Sequence, residues 1–171
     1  MNGLSLFANV GIAETYLKDV DIDIVVANEL LKDRAKFYRH LYPSCNMIQG
    51  DISDPQIYKE VIECATKEHV EFVIATPPCQ GMSIAGDMNP YDERNSLVKY
   101  AIDAIVDIEP KYVILENVPQ QLTTPIQYKN TEMLIPEYIK QRLGDKYIFN
   151  AEQILNTMDY EIPQMRRRAI I

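Results

Sequence analysis

The stretch Val70-Glu71-Phe72-Val73-Ile74-Ala75 is rich in β-branched and aromatic residues, and Thr76-Pro77-Pro78 stops it. Such a run predicts a short buried strand. Neither proline can donate a ladder hydrogen bond, so the pair ends the strand in an extended turn. The next side chain is Cys79, at the carboxyl end of that strand. In an open α/β sheet this edge is where ligands bind. A long polar loop containing Gly81, Ser83 and Gly86 follows, with the length of a lid or binding loop. A free cysteine is ordinarily a small buried hydrophobe. A thiol on a rigid stalk beside a mobile loop is also a mounting for a nucleophile.

Strands and helices alternate along the rest of the chain. Residues 4–7 predict a first strand, Ala8-Asn9-Val10-Gly11 a tight turn, and residues 12–17 a helix whose N-terminal amides face a ligand. The full Gly-x-Gly-x-x-Gly pattern is absent, but Asn9 tolerates a left-handed backbone, so the turn can form. Residues 22–28 predict a second strand closed by Glu29, and residues 30–41 a helix. An acid there suits a ribose hydroxyl pair, or it favours the helix start. Residues 46–52 predict a third strand containing Gly50-Asp51-Ile52. Asp51 could accept from the exocyclic amine of a purine; Asp51, Ser53 or Asp54 could equally cap the helix over 55–67.

Apolar residues at 97, 101, 104, 105 and 108 make a helical stripe that Pro110 ends. Residues 112–119 predict a fifth strand that ends in Glu116-Asn117. A carboxylate at the same sheet edge as Cys79 is costly without a partner or a task. Residues 131–143 read as a helix interrupted by Pro136 and stopped by Gly144, and 147–151 as a sixth strand. Residues 160–163 read as a turn, and 167–171 as a last strand led by Arg166-Arg167-Arg168. A basic triplet on an acidic chain is either a solvated patch or an anion site.

Composition limits what such a chain can be. The 171 residues suffice for one domain with its own core, residues 1–171. There is no long apolar run, so no membrane span is expected, and the N-terminus lacks signal-peptide character. Cys45, Cys64 and Cys79 form no Cys-x-x-Cys pair, which argues against a disulfide framework or a zinc site and for a reducing cytoplasm. His40 and His69 are the only histidines, and His69 precedes the Cys79 strand at its far end. A cysteine–histidine hydrolase is therefore disfavoured. The net charge of −8 disfavours nucleic-acid binding by this chain alone.

Taken together and in order, these motifs resemble the DNA (cytosine-5) methyltransferase family. Phe7, Ala8, Asn9, Gly11 and Ile12 match its cofactor-binding turn, and Glu29, Asp51 and Ile52 its ribose and adenine contacts. Pro77-Pro78-Cys79-Gln80 matches the nucleophile motif. Asn95 and Leu97 match the motif at the cofactor's methionine end, and the resemblance implies Pro77 as a further cofactor contact. Glu116-Asn117-Val118 matches the base-recognition motif, and Gln164-x-Arg166-x-Arg168 the last shared one.

The resemblance implies a Rossmann-like α/β methyltransferase fold, a mostly parallel sheet of six or seven strands with helices on both faces. It is expected to be incomplete at the C-terminus, with the final strand left as a raw edge. The cofactor implied is S-adenosylmethionine, with no metal. The partners implied are DNA carrying a flipped cytosine and a second polypeptide with the target-recognition region. Cys79 would be the nucleophile; Glu116, Arg166 and Arg168 would assist it. Pro78, Gln80, Ser83, Asn117 and Gln164 would touch substrate. A bacterial or phage origin is expected. The alternatives are an inactive fragment or interaction module of such an enzyme, and an RNA cytosine-5 methyltransferase.

Overall fold

A computed structural model describes residues 1–79, 92–149 and 153–171. The strands are β1 (Asn2–Leu6), β2 (Asp23–Glu29), β3 (Asn46–Gln49), β4 (Phe72–Ala75), β5 (Tyr112–Asn117), β6 (Pro125–Tyr128), β7 (Thr131–Leu134), β8 (Gln153–Asn156) and β9 (Arg167–Ile170). The α-helices are α1 (Lys32–Leu41), α2 (Pro55–Lys67), α3 (Val98–Ile108) and α4 (Ile135–Leu143). Seven strands form one sheet in the order β3-β2-β1-β4-β5-β9-β8, and β6 pairs with β7 separately. The chain divides into two compact units, residues 1–76 with 103–113 and residues 77–102 with 114–171.

In the first unit β1 pairs parallel with both β2 and β4, and β2 with β3. Leu4, Leu6, Val26, Ala27, Val73 and Ala75 are fully buried. Continuous burial rather than alternation is what a parallel sheet demands of its strands. Pro55 opens α2 and Asp54 caps it, its carboxylate accepting from the Gln56 amide at 2.7 Å. Asp51 instead folds onto its own turn, taking the Ser53 amide at 2.9 Å. Of the three candidate caps, only Asp54 serves. The helix expected over residues 12–17 does not form. Successive turns run to a 3-10 segment at Leu17–Val20. Ile12 and Tyr16 point to solvent while Glu14 is buried, the reverse of an apolar helical stripe.

In the second unit β9 lies between β5 and β8 and is antiparallel to both. The last strand is therefore interior, and the raw edge belongs to β8. β8 itself sits at 153–156; residues 147–149 are not strand, and 150–152 lie outside the described residues. The helix expected over 131–143 starts at Ile135, because residues 131–134 pair with β6 as a hairpin. Its tip, Lys129-Asn130, has φ of 47° and 63°. Two consecutive left-handed residues make the tight turn whose twist matches antiparallel strands. Pro136 then falls in the first turn of α4, where its missing N–H is harmless.

Candidate active site

The expected site residues fall into two groups, one in each unit. In the first unit the chain leaves β1 through Phe7, Asn9 and Gly11 with φ of 58°, 53° and 84°. Left-handed backbone at a bulky residue such as Phe7 costs about 1–2 kcal/mol, and it persists only where the surroundings enforce it. Here they do. The Ala8 amide donates to the Asn28 carbonyl at 2.9 Å, and the Asn9 amide donates to Glu29 Oε2 at 2.8 Å. The Thr76 hydroxyl holds the Phe7 carbonyl at 3.1 Å, and the Tyr42 hydroxyl holds the Gly11 carbonyl at 2.6 Å.

Glu29 is 5% exposed, and both of its oxygens are used. Oε2 takes the Asn9 amide, while Oε1 takes the Leu31 amide at 2.8 Å, at the entry to α1. The acid thus ties the turn after β1 to the end of β2 and steadies the helix start as well. The Gly50 amide donates to the Glu29 backbone carbonyl at 3.0 Å, which brings Asp51 to the same strand ends. Asn9, Glu29 and Asp51 are therefore gathered at one place by β1, β2 and β3. Ile52 is buried beside them in sequence, and Ile12 is exposed.

Asn117 organises the second unit's group. It is 2% exposed. Its Nδ2 donates to the Pro77 carbonyl at 3.0 Å, and its Oδ1 accepts the Val118 amide at 2.8 Å. The sequence puts Asn117 among the substrate contacts; the structure commits its carboxamide to the chain's own backbone. The carboxyl end of β5 is thereby fastened to the Pro77-Pro78-Cys79 turn. Pro77 is buried, while Pro78 and Cys79 are half-buried.

One residue before Asn117, Glu116 pairs with Arg168, Nε to Oε1 at 2.7 Å. Register explains the pair. Glu116 faces Ile170 across the β5–β9 ladder, so Arg168 is the diagonal neighbour on the same face. Long side chains reach across such diagonals. Arg166 and Gln164 are not brought to this pair. Both side chains are exposed on the connection between β8 and β9, where the Arg166 carbonyl accepts the Thr157 amide at 3.0 Å.

Asn95 is 2% exposed in the 3-10 segment Glu93–Leu97. Asp92 caps that segment through the Arg94 amide at 2.8 Å and pairs with the Arg94 guanidinium. The guanidinium holds the Asp92 carboxyl down at about 2. Leu97 is half-buried. Gln80 and Ser83 lie outside the described residues.

The sequence did not mark Glu14. It is 3% exposed, and the Ser5 and Tyr38 hydroxyls lie beside it without meeting hydrogen-bond geometry. Burial pushes its carboxyl above the usual range. An acid between small and aromatic residues carries no sequence signal for burial. Among the described residues no group of three or more His, Cys, Asp or Glu side chains could hold a metal, and no helix is long and apolar enough to cross a membrane.

A prophage-encoded Escherichia coli protein shares this fold, with a TM-score of 0.76 at 22% identity over 99% of this chain and 45% of that one. The fold is the Rossmann-like one of S-adenosylmethionine-dependent methyltransferases. Residues 1–171 match the C-5 cytosine-specific DNA methylase family, and the chain belongs to it. It is 42% identical over 174 residues to the Type II methyltransferase M1.HgaI of Avibacterium volantium. It is 27% identical over 172 residues to M.XorII of Xanthomonas oryzae. The match covers 99% of this chain in both cases, but 48% of the first relative and 39% of the second. The chain thus spans less than half the length of these curated relatives.

Proposed function

We propose that this chain is the catalytic part of a DNA (cytosine-5) methyltransferase that works through a covalent Cys79 adduct on a flipped cytosine. The observation that carries the reading is the joining of three groups at one strand end: the Cys79 turn, Asn117 that holds it, and Glu116 paired to Arg168 at 2.7 Å. Membership of the family supports it.

Cytosine carbon 5 is a poor nucleophile, and covalent catalysis overcomes this by splitting one hard step into easier ones. The Cys79 thiol loses its proton to solvent, and its sulfur bonds to carbon 6. The Glu116 carboxyl gives ring nitrogen 3 a proton, which neutralises the charge developing on the ring. Arg168 holds that carboxyl in place by a charge-assisted bond. S-Adenosylmethionine supplies the methyl group that carbon 5 takes. Water removes the carbon 5 proton, the sulfur–carbon bond breaks, and nitrogen 3 returns its proton to Glu116. The base is inaccessible inside a duplex, so it is flipped out first.

Phe7, Ala8, Asn9, Gly11, Ile12, Glu29, Asp51 and Ile52 would hold the methyl donor. The fit is chemical: the buried Glu29, the exposed Asp51 and the left-handed turn amides suit a ligand carrying hydroxyls, an amine and a carboxylate. Pro78, Gln80, Ser83 and Gln164 would face the substrate strand, and Arg166 would meet phosphate. With an acidic balance of −8, most DNA affinity would come from a further polypeptide with the target-recognition region. The shares of 48% and 39% of the relatives support that division. The bacterial relatives favour a bacterial cytoplasm.

The test is transfer of a labelled methyl group to duplex DNA by the chain with its recognition partner, beside Cys79→Ser. A serine hydroxyl stays protonated at neutral pH, so the variant should fold normally and transfer nothing. Label on carbon 5 by the serine variant would rule out the adduct.

A further inference from the structure

We propose that Tyr42 is a positioning residue for the methyl donor: from the end of α1 it fixes the Gly11–Ile12 peptide, whose amide meets the donor's carboxylate. The inference rests on the turn over residues 7–11 seating the donor.

Tyr42 is itself held from several sides. Its amide donates to the Tyr38 carbonyl at 2.8 Å and closes α1. Pro43 follows, and the residue before a proline is disfavoured from helical backbone. Tyr42 has left that backbone, with φ −125° and ψ 68°. Its carbonyl takes the Cys45 amide at 3.1 Å, and its ring centre lies 4.7 Å from that of Tyr38. Tyr38 is fully buried, so the half-buried Tyr42 ring rests on a packed wall.

Two contacts join this ring to the turn. The Tyr42 hydroxyl donates to the Gly11 carbonyl at 2.6 Å. A Cβ on Gly11 would collide with the Tyr42 ring, so the Gly11 backbone lies directly against it. With φ of 84° and no side chain, Gly11 has the widest choice of backbone angles in the turn and most needs an outside constraint. The Thr15 hydroxyl is 3.4 Å from the same carbonyl but donates to the Ile12 carbonyl at 2.9 Å, so Tyr42 is the closer hold.

Peptide planarity carries this hold to a ligand. The Gly11–Ile12 peptide is trans, so the Gly11 carbonyl and the Ile12 N–H point in opposite directions. Pinning the carbonyl to Tyr42 therefore sets the direction of the Ile12 amide on the far side. The amides of Ala8, Asn9 and Gly11 all donate within the chain. Among the described residues nothing accepts from the Ile12 amide, and Ile12 is 75% exposed. An aimed, unspent N–H in a left-handed turn suits a carboxylate, the group at the amino-acid end of S-adenosylmethionine. Tyr42 does not touch the donor; it acts through Gly11.

The experiment is calorimetric titration of the full chain and of Tyr42→Phe with two ligands. One is S-adenosylmethionine. The other is 5′-methylthioadenosine, which keeps the adenosine and lacks the amino-acid end. Tyr42→Phe retains the ring and removes only the hydroxyl, so it should fold. It should weaken S-adenosylmethionine about fivefold and leave methylthioadenosine unchanged. Equal weakening of both ligands would make Tyr42 a general support of the turn and overturn the positioning role. Unchanged binding of both would overturn it as well. Failure of the wild type to bind either ligand would overturn the donor seat itself, and this inference with it. The wild type carries a second test: its Ile12 amide proton resonance should shift with S-adenosylmethionine and stay in place with methylthioadenosine. A resonance unmoved by S-adenosylmethionine in a chain that binds it would refute the contact.

Discussion

The Asn117 carboxamide donates to the Pro77 carbonyl at 3.0 Å and so joins the end of β5 to the turn that presents Cys79. Pro78 supplies no N–H, and Pro77 none either, so backbone pairing cannot fasten this turn. A buried side chain does so instead. Asn117→Ala would leave the Pro77 carbonyl and the Val118 amide without their partner. The expected loss is about 1–3 kcal/mol, read as a lowered urea midpoint. Methyl transfer should fall more steeply than stability, because the thiol loses its anchor. Unchanged transfer in a folded Asn117→Ala protein would dismiss the anchoring role.

Arg168 and Glu116 are each about a quarter exposed, 22% and 27%. An ion pair so placed contributes only about 0.2–1 kcal/mol to folding. Arg168→Lys keeps the charge and loses the planar fork. It should leave the thermal midpoint nearly unchanged while methyl transfer drops by about two orders of magnitude. Thermal unfolding and single-turnover transfer, measured on one preparation, separate the two effects.

Glu14 should make stability depend on pH. Its folded carboxyl titrates above the unfolded one because burial disfavours its charge. The folded state therefore binds more protons across that interval, and stability falls as pH rises through it. Below the usual carboxylate range the contribution is fully present. Urea unfolding at pH 4.5 and pH 8 should show the wild type losing stability relative to Glu14→Gln. Parallel profiles for the two proteins would contradict a buried neutral acid.

The β6–β7 tip can be improved. Lys129 and Asn130 both carry positive φ, which lysine tolerates poorly. Replacing the pair by Asn-Gly should stabilise the chain by about 0.5–1 kcal/mol. Differential scanning calorimetry would register this as a rise of a few degrees. A fall would mean that the Lys129 ammonium, 5.2 Å from the centre of the Tyr128 ring, matters more than backbone strain.

Local chemistry was legible without coordinates where it acts over a few residues. The breaker Pro77-Pro78 ended β4 at Ala75, Asp54-Pro55 started α2, and Asn9 adopted the left-handed backbone that its side chain tolerates. The apolar runs located β1, β2 and β4, because a strand buried on both faces must be largely apolar, and β5 by its apolar residues 112–115. Residues 131–134 and 147–149 misled for the same reason in reverse. Short segments of mixed polarity take the state that their neighbours offer, and 131–134 found a partner in β6.

The sequence by itself determined the class of fold, the strand ends that carry Cys79, Glu116 and Glu29, and the identity of the motif residues. Each depends on composition and spacing within a segment. Only the tertiary structure decided that β9 is interior, that register sets Arg168 against Glu116, and that Asn117 grips the Pro77 carbonyl. It alone placed Glu14 in the core without a partner. These relationships join residues far apart in the chain, and strand pairing and burial create them only once the chain has folded.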